Sequence, residues 1–332
     1  MRSRRTIAYA VLAAFVLAVT VVIGWFTTPR TTGLEGQWET AAVRGDVLGG
    51  RALVGADATV AIDLVSGTRI TLGSVTDGTR AIGAGRLLVL HQSTLDGAGL
   101  DGRSRWTWQG PPAHQIALVA AGPSTTVVQV CGGTPVACRL IGVATNGKQS
   151  WQTPQPTATG ISKPTVGTDG NLPTVGVLTA ADGTLLLVDP GTSRVVLRPA
   201  ATASVGRDGT LTLSATSGEQ CIRTTFQTLD RSSTVPTPGP CPAAGSDAAA
   251  GSAAESTAES AAESAAAATT RTTSTRTNVW WWPFGDGRPT LEVSGRHTGK
   301  VVSRDALQTL RVDDAGLTVL DGATVRRYSW ER

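Results

Sequence analysis

The sequence predicts an all-β protein: a single β-propeller of six or seven four-stranded blades, preceded by one transmembrane helix. Three observations carry that expectation. A charge-free apolar run lies near the N-terminus, a strand–turn phrase recurs along the chain, and glycine and short valine-rich runs abound.

The apolar run extends from Ile7 to Phe26, behind Arg2, Arg4 and Arg5. Twenty helical residues at about 1.5 Å each span roughly 30 Å, the hydrocarbon thickness of a bilayer. A cleaved signal peptide is the rival, but its apolar region is usually about 7–15 residues and ends at an A-x-A-like site. Here the run is longer and is followed by Thr27, Thr28, Pro29 and Arg30. Three arginines before the run against one after it put the N-terminus in the cytoplasm and the bulk of the chain outside. Residues 1–6 thus read as a cytoplasmic basic tail, 7–26 as a helix whose partner is the lipid bilayer, and 27–44 as a stalk with a possible ring-closing strand.

The remainder is poor in charge, at 16% Asp, Glu, Lys and Arg, and carries 39 glycines, which suits many short strands joined by turns. The net charge of +4 is no nucleic-acid signature, because the 29 basic residues are scattered. The four cysteines form two local pairs, Cys131 with Cys138 and Cys221 with Cys241. An even count in an exported domain reads as disulfides, although spacing alone does not fix connectivity. Zinc is the alternative, but both spacings miss the short C-x₂₋₄-C pattern and no histidine lies close by.

The recurring phrase is a short apolar strand, a turn with Asp or Asn and Gly, and a strand that often ends on an aromatic residue. It occurs at residues 61–69, 99–106 and 142–151, more weakly at 187–192, and again at 319–328. The turn glycines Gly67, Gly102, Gly147 and Gly191 are separated by 35, 45 and 44 residues. That step fits the roughly 40–50 residues of a four-stranded blade. Asp-Gly and Asn-Gly supply the positive φ that tight hairpins need, and the terminal Trp can cover the apolar rim between blades. Runs such as Leu87–Leu90 and Thr126–Val130 fit strands buried on both faces.

Residues 61–69 and 142–151 give the chain its resemblance to the pyrroloquinoline-quinone-like, or quinoprotein-dehydrogenase-like, β-propeller repeat family, over about 45–240 and again near 290–332; the blades themselves read as 45–242. The resemblance implies the fold. It carries over no active-site residue of the quinone-bearing members, so pyrroloquinoline quinone is a cofactor without assignable ligands. The best trace of a further copy is Leu229–Thr234. From 243 to 279 the chain turns to Ala, Ser, Thr and Glu, and reads as a low-complexity flexible insertion. Residues 280–332 then read as an aromatic segment and a C-terminal blade. Gln37–Thr40 is similar to Lys148–Thr153 and reads as an outer strand that pairs with C-terminal strands.

The one candidate interaction site is Trp280, Trp281, Trp282 and Phe284, an anchor for a partner, a glycan or the membrane surface. The plainer reading docks these rings onto the propeller. No catalytic or metal set is legible. His91, His114 and His297 are scattered, Asp63, Asp101 and Asp189 sit where a side chain caps its own turn, and Asp313–Asp314 is a lone acidic pair. Three functions compete. The leading one is a non-catalytic, membrane-tethered scaffold or ligand-sensing module in the cell envelope, whose partner is an envelope protein and not nucleic acid. The second is a quinone-dependent dehydrogenase-like enzyme, and the third a cell-wall glycan binder.

Overall fold

The computed structural model describes residues 30–56, 60–71, 78–134, 136–155, 163–167, 169–241, 271–277, 288–303 and 305–331. The expected membrane helix at 7–26 lies outside them. Among the described residues no helix is long and apolar enough to cross a membrane. The chain divides into two compact units, Val43–Glu255 and Met1–Ala42 with Ser256–Arg332.

Two N-terminal strands, β1 (Arg30–Thr32) and β2 (Leu34–Ala41), belong to sheets completed by C-terminal strands. The unit from Val43 then holds five four-stranded antiparallel sheets, each an up-and-down meander. The first comprises β3 (Gly45–Leu48), β4 (Ala52–Gly55), β5 (Val60–Asp63) and β6 (Arg69–Thr71). The second comprises β7 (Thr79–Gly83), β8 (Arg86–His91), β9 (Thr94–Gly99) and β10 (Arg105–Gln109). The third comprises β11 (Gln115–Ala121), β12 (Thr125–Gly132), β13 (Ala137–Ala144) and β14 (Gln149–Pro154). The fourth comprises β15 (Lys163–Pro164), β16 (Gly176–Thr179), β17 (Leu185–Val188) and β18 (Val195–Arg198). The fifth comprises β19 (Thr202–Val205), β20 (Leu211–Ser217), β21 (Gln220–Thr228) and β22 (Arg231–Pro238).

The middle strands are the apolar runs. Leu87, Leu88, Val127, Val128, Leu185 and Leu186 are fully buried, as strands covered on both faces must be. The core is layered between successive sheets. One cluster joins Val54 and Ala61 to Leu87 and Val89, and a second joins Leu88 and Trp106 to Val128 and Ile141. A third joins Val127 and Leu140 to Leu186 and Val188, and a fourth joins Leu185 and Leu187 to Leu211 and Phe226. The second, third and fourth sheets therefore bury both faces against their neighbours, as the blades of a propeller do.

The inner edges of this unit meet on its own backbone. Gly49 N donates to Asp169 O (2.8 Å), Ile82 N to Gly170 O (2.9 Å) and Ala121 N to Pro173 O (3.0 Å). Leu172 N returns a bond to Ile82 O, and Thr174 N donates to Gly209 O, each at 2.8 Å. Asp169–Thr174 thus lies against the first strands of two sheets and the first turns of two others, with Leu172 only 1% exposed.

The other unit has two sheets. One runs β23 (Arg271–Thr277), β24 (Arg288–Ser294), β25 (Gly299–Val302) and β1. The second runs β26 (Leu307–Asp313), β27 (Gly316–Asp321), β28 (Thr324–Trp330) and β2. In both, residues before Ala42 supply the fourth strand. β2 pairs antiparallel with β28, with Trp38 opposite Arg327 and Glu39 opposite Arg326. The described residues form seven four-stranded sheets, consistent with seven blades.

Two details depart from the sequence reading. Arg271–Thr277 falls inside the stretch read as a flexible insertion but is a strand, paired with β24 from Arg271 opposite Ser294 to Thr277 opposite Arg288. Its threonine-rich sequence has the β-branched character strands prefer. The turn at Asp321-Gly322, read as another copy of the phrase, joins second and third strands, whereas Gly67, Gly102, Gly147 and Gly191 join third to fourth. Where the fourth strand comes from the other end of the chain, no such turn is needed.

Candidate functional site

The repeated turn does more than reverse the chain. Asp63 Oδ2 accepts from Ser66 N (3.1 Å) and Ser66 Oγ (2.6 Å), Asp101 Oδ1 from Arg103 N (3.0 Å), and Asp189 Oδ1 from Gly191 N (2.7 Å). These carboxylates cap their own turns. A second set of bonds ties the third turn of each of the first three sheets to the first turn of the same sheet. Leu64 N donates to Arg51 O (2.9 Å), Leu100 N to Gly85 O (3.0 Å) and Thr145 N to Ser124 O (3.1 Å).

In an up-and-down sheet the first and third turns emerge at the same end. At that end of the first three sheets of the larger unit, these turns enclose an open depression of about 720 Å³. Its charged lining is Arg51, Asp63, Arg86, Asp101 and Arg103, with Ser66, Thr68, Ser104 and Thr145 as further polar groups. Asp63, 2% exposed, receives the Arg51 Nε at 2.8 Å, a charge-assisted bond of the stronger kind.

Arg86 is the unusual member. It opens β8, is 5% exposed, and reaches into the next sheet, where Nη1 donates to Pro123 O (2.6 Å) and Nη2 to Gly122 O (2.5 Å). Its Nε is buried without a partner. Burial pulls its pKa below the ordinary arginine value. A guanidinium stays protonated nonetheless, so the cation is held by two neutral carbonyl oxygens. None of the three arginines was singled out from sequence. The available signal was an arginine at the mouth of the run Leu87–Leu90, where burial of a charge needs a reason.

The residues that sequence reading did single out lie elsewhere. Trp280, Trp281, Trp282 and Phe284 fall outside the described residues. Cys131 bonds to Cys138 across the β12–β13 hairpin, where the two stand directly opposite, and Cys221 bonds to Cys241. The histidines are engaged locally. His91 Nδ1 is 3.8 Å from Asp96, a carboxylate neighbour that sequence reading missed. His114 Nδ1 is 2.8 Å from Pro112 O, and His297 stacks on Trp330 with centroids 5.1 Å apart. Asp313 is no solvated lone acid, since it receives Arg327 Nη2 at 2.7 Å and Arg311 Nε at 2.6 Å. Among the described residues no group of three or more His, Cys, Asp or Glu is placed to hold a metal.

No protein-family model matches the chain. No curated protein matches it either. Solved β-propellers are similar in fold only. BamB from Moraxella catarrhalis shares 10% identity over 89% of this chain and 99% of its own, with a TM-score of 0.34. The β-propeller domain of Cps50 (Swd1) from Myceliophteria thermophila shares 12% over 91% and 99%, with a TM-score of 0.35. The WD40 domain of SCAP from fission yeast shares 10% over 92% and 98%, with a TM-score of 0.30. Likeness at this level carries no argument, and the assignment of blades rests on the strand pairings and the layered core.

Proposed function

We propose that the chain is a membrane-tethered, extracytoplasmic β-propeller that serves as a non-catalytic protein-interaction scaffold in the cell envelope. The observation that carries this reading is the polar depression at one end of three adjoining sheets. Its walls are turns held by internal hydrogen bonds, so it is a preformed surface, and binding to it costs little ordering. Asp63 is committed to Ser66 and Arg51, and Asp101 to its own turn. Such groups are suited to recognition more than to proton transfer. The tether is the apolar run at residues 7–26, and the two disulfides suit an oxidising compartment.

The test is proximity labelling in the native cells, from a tag fused to the C-terminus of the full chain. Enrichment of a specific envelope protein over a control tag on the same membrane helix is expected. Labelling of cytoplasmic proteins, or none beyond the control, would overturn the reading.

A further inference from the structure

We infer that the depression around Arg86 is an anion-binding site for a carboxylate side chain presented by a peptide segment of the partner protein. The inference deepens the scaffold reading and rests on it.

Three arginines against two aspartates leave the lining with one positive charge. That charge is unevenly placed. Arg51 is neutralised by Asp63 at 2.8 Å. Arg86 holds carbonyl oxygens alone, and its buried Nε has no partner. Neither Arg86 nor the exposed Arg103 forms an ion pair among the described residues. A cation taken out of water without a counter-charge is costly, and an anion at the mouth of its pocket offsets that cost. Around it stand the Ser104 and Thr145 side chains, which can complete the hydrogen bonding of an incoming acid.

The ligand class follows from charge and size. A doubly charged phosphate would overcompensate a lining of net +1 and would face Asp63 and Asp101. A single carboxylate matches the charge, and guanidinium groups favour its planar geometry. A depression of about 720 Å³ is far larger than an inorganic ion and suits a side chain together with its flanking backbone. Arg86 also staples the second sheet to the third, so a purely structural role must be separable by experiment.

The probe is a fluorescein-labelled peptide with a single glutamate flanked by uncharged residues, compared by anisotropy with its glutamine counterpart on the full-length protein in detergent. The glutamate peptide is expected to bind about tenfold tighter or more, and high salt to weaken it. Arg103→Glu changes an exposed side chain on the rim and should leave the unfolding temperature in place. It should weaken the glutamate peptide about tenfold and give a lysine peptide a measurable preference, which a structural role would not. Arg198→Gln, an exposed arginine outside the depression, should change nothing. Equal binding of the glutamate and glutamine peptides would overturn the inference, as would an Arg103→Glu protein with unchanged affinity. So would saturable binding of inorganic phosphate with no peptide binding. Partner labelling that survives such a result leaves the scaffold standing without this pocket, whereas peptide binding without partner labelling sinks the scaffold alone.

Discussion

Trp151 stands directly opposite Gly142 across the β13–β14 ladder, and its indole lies where a side chain on Gly142 would be. A Cβ added there would come within 2.3 Å of the indole Cε2 and Nε1. The same device recurs one sheet earlier, where Trp106 covers Gly97 and a Cβ would meet the ring at 2.2 Å. Trp151 also donates from Nε1 to Pro190 O (2.9 Å), which ties the third sheet to the fourth. Trp151 is therefore both a cover for its own sheet and a bond to the next. Gly142→Ala and Gly97→Ala should each destabilise the protein by about 1–3 kcal/mol, the usual cost of overpacking. Denaturant unfolding of each variant checks this, and a change within experimental error would show that the rings move aside freely.

The segment at the inner edges of the larger unit makes a second expectation. Leu172 is 1% exposed and packs in the cluster shared by the second and third sheets. Leu172→Ala should cost about 2–5 kcal/mol. Hydrogen exchange should show the amides of Ile82 and Ala121 losing protection together, since both donate to this segment. Loss at one amide alone would mean the segment does not hold the sheets jointly.

Asp313 governs the response of the smaller unit to acid. Burial alone would raise its carboxyl, but hydrogen bonds from Arg327 and Arg311 outweigh burial and hold it below the ordinary value. A depressed carboxylate pKa contributes stability above the unfolded value of about 3.9 and loses it as pH falls through the folded one. Stability should therefore fall in that acid range, and Asp313→Asn should flatten the dependence there. Arg327 is 1% exposed, so the variant leaves a buried cation without its carboxylate, at a cost of about 3 kcal/mol. Unfolding at neutral and acid pH measures both effects, and parallel curves for variant and wild type would contradict them.

The two disulfides should differ in weight. Cys221 and Cys241 are 20 residues apart, Cys131 and Cys138 only 7. Loop-closure entropy gives about 3.3 kcal/mol for the longer loop and about 2.5 for the shorter. The Cys221→Ala/Cys241→Ala double variant should lower the unfolding midpoint further than Cys131→Ala/Cys138→Ala. The reverse order would mean that the hairpin at Cys131 depends on its bond for register.

Much of this architecture is legible in the chain because it is local. Asp63, Asp101 and Asp189 mark turns through bonds reaching two or three residues along, and the apolar runs mark the buried middle strands. The Asp321-Gly322 turn carries the same letters at another place in its sheet, since local chemistry specifies a turn and not which strands it joins. Strand β23 was hidden by composition, as Arg271–Thr277 offers threonine but no apolar alternation. The pocket was not legible at all. Arg51 and Arg103 lie on turns of two different sheets, and Arg86, at the start of β8, meets Gly122 and Pro123 only because the third sheet packs beside the second. Such a site is a product of sheet-on-sheet packing and leaves no spacing in the sequence.

The most direct test of the scaffold is photocrosslinking in living cells from single positions of the full chain. A crosslinker at Ser104, on the rim of the depression, should give one discrete adduct with an envelope protein. One at Val235, 57% exposed on the outermost strand of the fifth sheet, should give none. Equal adducts from both positions, or none from Ser104, would contradict the account.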